Sequence, residues 1–250
     1  ASGLWEARLA REFYHGHLTT YSPAYKPADL PEILRLSDTV IFNAPDQIAR
    51  FADLIAAARA EARRTNKPLF VTFRCVPCAD CKGFDAEVAK NNQRIKNLVQ
   101  EAFVAVRQVE MKGVDLSQFQ FDYDLNWAAM FINADGTVYA RYGTQSAMGA
   151  DAYNSVESLE KTMRRVLALH NGYPANHAAL AGKLGKPKPY KSALQMPGMK
   201  HRSKLAGSTA RNNCVHCHNI HDAEHEQLQD AGRLNHDALW RYPLPDNLGL

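Results

Sequence analysis

Every cysteine of this chain lies in one of two short stretches, Cys75-Val-Pro-Cys78-Ala-Asp-Cys81 and Cys214-Val-His-Cys217-His218, and that limits how it can fold. A disulfide-stapled scaffold scatters single cysteines between loops so that each bridge closes a long segment. Five clustered cysteines point instead to redox or metal chemistry and leave stability to apolar burial. With 250 residues, 46% of them hydrophobic and 22% charged, the chain can form one full core and a second, smaller unit. A net charge of +4 gives no reason to expect a nucleic-acid partner. No apolar run approaches the roughly 18 residues of a membrane span. The chain starts at Ala1 without Met, which suits a removed secretory signal.

Residues 1–39 carry Pro23, Pro27 and Pro31 among many aromatics and read as an irregular extension wrapped on a core, leading into an apolar strand-like stretch at Thr39–Phe42. Asp46 is placed to cap a helix in which Ile48, Phe51, Leu54, Ile55 and Ala58 recur at helical spacing. Lys67-Pro68 stops it, and Leu69–Phe73 reads as a buried strand that runs straight into the first cysteine cluster. Helices are expected from Cys81 to Lys90 and around Asn92–Glu101, and strands at Phe103–Val109 and Ala128–Asn133. Ala134-Asp135-Gly136 marks a hairpin whose return strand is Thr137–Tyr142. The last helix of this unit is Val156–His170, with Leu159, Met163, Val166 and Leu167 on one face and Asn171-Gly172 as its stop.

That order resembles the thioredoxin fold over residues 40–172, an α/β class with a central mixed sheet flanked by helices. Val71-Thr72-Phe73 lies where the family's central strand ends, and Cys78-Ala-Asp-Cys81-Lys82 where it places its redox dithiol and following lysine. The resemblance implies Cys78 as nucleophile and Cys81 as resolving thiol, with Cys75 an additional thiol one turn earlier. It also implies a possible thiol–disulfide oxidoreductase. The chain departs from the family at the cis-proline that faces the dithiol: Trp127 or Ala128 takes its place, and no proline lies between Pro77 and Pro174. A cis bond without proline costs about 3 kcal/mol, so a trans bond is expected there.

At the first cluster, a helix N-terminus favours thiolate, Asp80 opposes it, and Arg74 can offset Asp80. A reductant-like dithiol or a thiolate site for a soft metal such as copper or zinc at Cys75, Cys78 and Cys81 both remain open, beside inert buried thiols.

The second cluster is the C-x-x-C-H pattern of covalent haem c attachment, in which two thiols add to the vinyl groups and the next histidine reaches the iron. Here that means Cys214, Cys217 and a proximal His218, in resemblance to c-type cytochromes. Distal candidates are Met199 and Met196 upstream and His225 and His236 downstream; methionine would raise the potential relative to histidine. A mixed zinc or copper site with His216, His218, His221 or His225, or a simple disulfide, are the alternatives. His15-Gly-His17 is a weaker ligand pair.

From Tyr173 the composition turns to Lys, Gly, Pro, Ser and His, and residues 173–211 read as a surface linker. Lys183, Lys186, Lys188, Lys191, Lys200, Arg202, Lys204 and Arg211 make it basic, which suits either plain solvation or an acidic redox partner. Residues 212–250 form the C-x-x-C-H segment, with a short helical unit from Asn212 to Leu239. Leu248-Gly-Leu250 resembles the start of a PDZ carboxylate-binding loop, as if the chain were truncated before a further domain. The sequence therefore leads to an extracytoplasmic, periplasmic redox protein that joins a thioredoxin-like dithiol to haem c. The alternative is a metallochaperone-like metal binder.

Overall fold

The strand β3 (Leu69–Arg74) carries apolar side chains on both faces, so it must be covered twice, and it lies inside the sheet. In the computed structural model, which describes residues 1–21, 26–41, 51–74, 82–86, 88, 92–108, 111–120, 125, 127–143, 153–185, 188–199, 205 and 214–235, it is flanked by β4 (Val104–Gln108) and β5 (Trp127–Ile132). The β6 strand (Val138–Tyr142) completes the order β4-β3-β5-β6. The β3–β4 pair is parallel, with Thr72 opposite Arg107, and the β3–β5 pair is antiparallel, with Arg74 opposite Trp127. The β5–β6 hairpin is antiparallel, turns at Gly136 with φ of 100°, and carries a bulge between Phe131 and Ile132.

The alternation of β3 divides the core in two. Leu69, Val71 and Phe73 join Leu54, Ile55, Ala58 and Ala62 of the helix Phe51–Thr65 on one face. Phe70, Phe131 and Tyr139 meet Leu159, Met163 and Val166 of the helix Val156–Asn171 on the other. There Phe70 stacks on Phe131 with centroids 5.1 Å apart. Each fully buried side chain of this size contributes about 1.5–3 kcal/mol. The helix Gln93–Ala102 is capped by Asn92, whose side chain accepts from the Ile95 N–H at 3.1 Å. The helix Val156–Asn171 is capped in the same way by Ser155.

Two stretches differ from expectation. Residues 4–41 are not irregular: helix Leu4–Phe13, strand β1 (Thr19–Tyr21), helix Leu30–Leu36 and strand β2 (Thr39–Ile41) form a unit whose two strands pair in parallel, apart from the main sheet. Proline misled the reading, because Pro31 sits at the start of its helix, where the missing N–H is harmless. The stretch read as a surface linker also enters the core, since Leu180, Ala193, Met196 and Met199 are buried. The helix Cys217–Asp230 packs with it on the same side of the sheet as the helix Phe51–Thr65, through Cys217, Ile220 and Ala223. The proposed PDZ-like edge, His236 and the residues after it lie outside the described residues.

Asp38 stitches the N-terminal unit to the main domain. Its carboxylate accepts from Arg11 at 2.8 Å and from the Leu18 N–H at 2.7 Å, and Gln100 of the helix Gln93–Ala102 donates to it at 2.8 Å. Burial opposes its ionisation, but the hydrogen bonds from Gln100, Leu18 and Arg11 outweigh that and hold the carboxyl below its ordinary range. A depressed carboxyl stabilises the fold fully above its unfolded pKa, near about 3.9, and loses that contribution as pH falls through the lower folded value. We therefore expect the N-terminal unit to loosen first on acidification below about pH 4, seen as selective proteolysis within residues 1–41. Asp38→Ala should produce the same pattern at neutral pH; cleavage there no faster than in the parent would show that the contact does not hold the unit.

Candidate functional site

Residues 75–81, which include Cys75, Cys78 and Cys81, lie outside the described residues, but both of their anchors are defined. Arg74 ends β3, and Asp85 sits in the short helix Lys82–Ala86 that follows. Asp85 is 3% exposed. One of its carboxylate oxygens pairs with both Arg74 and Arg107, whose side chains are 17% and 19% exposed. The indole N–H of Trp127 donates to the other oxygen at 3.2 Å. One acid thus binds the ends of β3, β4 and β5 to the helix beyond the cysteines, and two guanidiniums against one carboxylate leave the cluster with excess positive charge.

Arg74, expected to offset Asp80, is committed to Asp85 through Nη1. Its buried Nε meets no acceptor among the described residues. Trp127, 1% exposed, packs edge-on against Phe84 with centroids 5.0 Å apart. Gly143, at φ of 115°, lies so close to the Trp127 carbonyl that an added Cβ would sit 2.3 Å from it. The peptide bond from Trp127 to Ala128 is not cis, and Tyr173–Pro174 is the cis bond among the described residues. The expectation missed Asp85 and Arg107. A signal existed in the second: Arg107 is the one charge in the strand Val104–Gln108, and such a residue needs a buried partner.

The second cluster is in view. Cys214 is half-buried, and Cys217 is buried at the first position of its helix. The segment is pinned where the Met111 N–H donates to the Val215 carbonyl at 3.2 Å. The His216 N–H donates to the side chain of Asn219 at 2.9 Å, which turns the chain into the helix. Burial and the neighbouring His218 charge lower the pKa of His216. Met196 and Met199 share the apolar cluster of Cys217, at 0% and 6% exposure. His225 instead packs its ring on His221, with centroids 4.0 Å apart. Among the described residues, no group of three or more His, Cys, Asp or Glu is arranged to hold a metal ion.

The basic stretch is only partly a solvated face. Lys188 forms an ion pair with Glu224 of the C-terminal helix, with their side chains 16% and 4% exposed. Burial, with Arg165 and Arg141 nearby, lowers the pKa of Lys183. His15 is exposed, and His17 is half-buried beside Asp38. No helix among the described residues is long and apolar enough to cross a membrane.

Comparison with known proteins fits this architecture. Residues 51–134 match a family described as thioredoxin-like, and the chain carries a thioredoxin-like domain. Among solved structures, a disulphide isomerase from Xylella fastidiosa Temecula1 is similar at 24% identity and a TM-score of 0.32, over 46% of this chain and 83% of that one. Among curated proteins, the chain is 44% identical over 50 residues to a carboxynorspermidine/carboxyspermidine decarboxylase of Campylobacter jejuni. It is 39% identical over 62 residues to a carboxyaminopropylagmatine decarboxylase of Synechocystis sp.. These matches span 20% and 25% of this chain, and 13% and 16% of the two relatives.

Proposed function

We propose that the chain is an extracytoplasmic thiol–disulfide redox protein, with its exchanging dithiol at Cys78 and Cys81 and a covalent haem c at Cys214 and Cys217. The observation that carries the reading is the position of the C-x-x-C pair in a thioredoxin-like domain, between a strand end and a helix held together by Asp85. The net positive charge of the Arg74–Asp85–Arg107 cluster, which begins next to Cys75 in the chain, favours the thiolate form of the adjoining segment.

In the exchange, the Cys78 thiolate attacks one sulfur of a partner disulfide, and the other partner sulfur leaves as thiolate. The Cys81 thiolate then attacks Cys78, forms the Cys78–Cys81 disulfide and releases the second partner sulfur. Two electrons pass from the dithiol to the substrate, and the two thiol protons follow to its thiols. Cys75 is the auxiliary thiol.

At the second cluster the donor set fits haem c: two cysteines at the required spacing, His218 next to them, and Met196 and Met199 buried in the apolar cluster of Cys217. Cys214 and Cys217 would hold the group, with His218 as an iron ligand and Met199 or Met196 as candidates for a further one. When bound, it supplies one-electron transfer. The cationic stretch after residue 183 suits an acidic redox partner, and a periplasmic site suits both cysteine chemistries.

Two measurements test the parts separately. Reduced protein is incubated with a disulfide peptide: Cys81→Ser should accumulate a mixed disulfide on Cys78, while Cys78→Ser should show none. If neither variant traps peptide and the parent leaves it oxidised, the exchange reading falls, and zinc or Cu(I) titration of the three thiols tests the metal-binding alternative. The protein is also secreted from a host with haem c maturation machinery and extracted with acid–acetone. A retained Soret band with sharp reduced α and β bands supports haem c, and colourless protein removes that half alone.

A further inference from the structure

The outer edge of β4, which lies beside β2 of the N-terminal unit, borders a cavity of about 390 Å³ between that unit and the main domain. Among the described strands β4 pairs with β3 alone, and Val104, Ala105, Val106 and Arg107 all line this space. Its apolar walls are completed by Val40 from the N-terminal unit, Leu54 and Ala58 from the helix Phe51–Thr65, and Val99 and Phe103 from the Gln93–Ala102 end, with polar and charged side chains lining the rest. The volume lies within the roughly 300–1,000 Å³ of small-molecule sites.

The charges around these walls are unbalanced. Arg11, Arg35, Lys67, Lys96 and Arg107 line the cavity, against Asp38 and Glu61. Both acids are engaged: Asp38 accepts from Arg11, Leu18 and Gln100, and Glu61 pairs with Arg64 at 2.6 Å. Three of the cations are committed as well, Arg11 to Asp38, Arg35 to Glu32 and Arg107 to Asp85. Two ammonium groups remain. Lys67 reaches the Gln100 carbonyl at 3.3 Å and Lys96 lies one helical turn before Gln100, so both line the side of the cavity formed by the helix Gln93–Ala102. Among the described residues no carboxylate pairs with either.

We propose that this cavity binds an organic carboxylate with an apolar body, the body along the β4 edge and the carboxylate at Lys96 and Lys67. An inorganic anion would satisfy the lysines and leave the apolar walls facing water, whereas a neutral apolar molecule would leave the lysines uncompensated. Among the described residues no cysteine lines the site, and its occupancy does not depend on the redox reading.

Decanoate is the probe, titrated into the full chain by calorimetry, with acetate and decanol as controls for the missing body and the missing charge. Saturable binding of one decanoate is expected, each control weaker by about tenfold or more. Lys96→Met should weaken decanoate by about tenfold and leave decanol unchanged. Ala105→Leu, which fills the space beside the β4 edge, should abolish binding of decanoate with the circular dichroism melt retained. If Ala105→Leu fails to fold, Lys96→Met at a half-buried helix position carries the test. Absence of saturable decanoate binding overturns the proposal. So does binding that Lys96→Met leaves as tight as in the parent, which would mean adsorption elsewhere.

Discussion

Asp85→Ala is expected to destabilise the protein by about 3–5 kcal/mol, a large part of the stability of an ordinary domain. The carboxylate is almost wholly removed from water and neutralises two guanidiniums that are each less than a fifth exposed. Deleting it leaves two cations without their counter-ion and takes the acceptor from the Trp127 indole N–H. Removing one cation is gentler. In Arg107→Met the acid keeps Arg74, and the new side chain is apolar at a half-buried strand position, so a loss of about 1–3 kcal/mol is expected. Asp85→Asn, which keeps the shape and a hydrogen-bonding oxygen, should fall between. Urea unfolding at a common m-value measures all three. If Asp85→Ala stays within about 1 kcal/mol of the parent, the cluster does not hold the cysteine-bearing connection in place.

This cluster also marks where sequence reasoning stops. The strand Leu69–Arg74, the hairpin at Ala134–Gly136 and the helix Val156–Asn171 are legible because their signals are local: an apolar run, a turn tripeptide, and an apolar stripe with an Asn-Gly stop. The thioredoxin-like order follows from them. Asp85 is different. In the sequence it is one more acid on a short helix, and it becomes the keystone only because Arg107, 22 residues later, arrives from the neighbouring strand. Met196 and Met199 were read as possible iron ligands in a solvated linker, and their burial is a consequence of where Cys217 and Ile220 pack. The N-terminal unit was hidden by its prolines.

The C-terminal helix shows why the C-x-x-C-H segment need not be an autonomous fold. Few large apolar residues surround the motif, too few for a core of its own. Val215, Cys217, Ile220 and Ala223 instead join the cluster that contains Val71, Phe73 and Met130 of the main sheet. Any group attached at Cys217 is therefore anchored on the thioredoxin-like domain itself. The buried pair of Lys188 with Glu224 ties the incoming stretch to the same helix and adds charge specificity to an otherwise apolar contact.

That docking rests on a close approach at Gly198, which makes a second large effect available. A Cβ there would lie 2.3 Å from the Ala223 carbonyl oxygen and 3.0 Å from Cγ of Gln227, both on the C-terminal helix. The first contact is with backbone and cannot be relieved by a rotamer change, so either the helix or the Met196–Met199 stretch must move. Gly198→Ala is expected to cost about 1–3 kcal/mol, the range of other overpacked sites, and Gly198→Val more. The loss should be local, because the clash lies between Gly198 and the C-terminal helix, and the helix Val156–Asn171 belongs to the cluster on the other face of the sheet. Maleimide labelling of haem-free protein, resolved by peptide mass, reads it directly. In the parent Cys214 should react ahead of buried Cys217. In Gly198→Ala the Cys217 rate should rise by about tenfold or more, following the lower free energy of local opening, while Cys214 changes little. Equal Cys217 rates in parent and variant would mean that the helix does not depend on this contact. A parallel rise in both cysteines with a fallen melting temperature would mean that the whole domain had loosened.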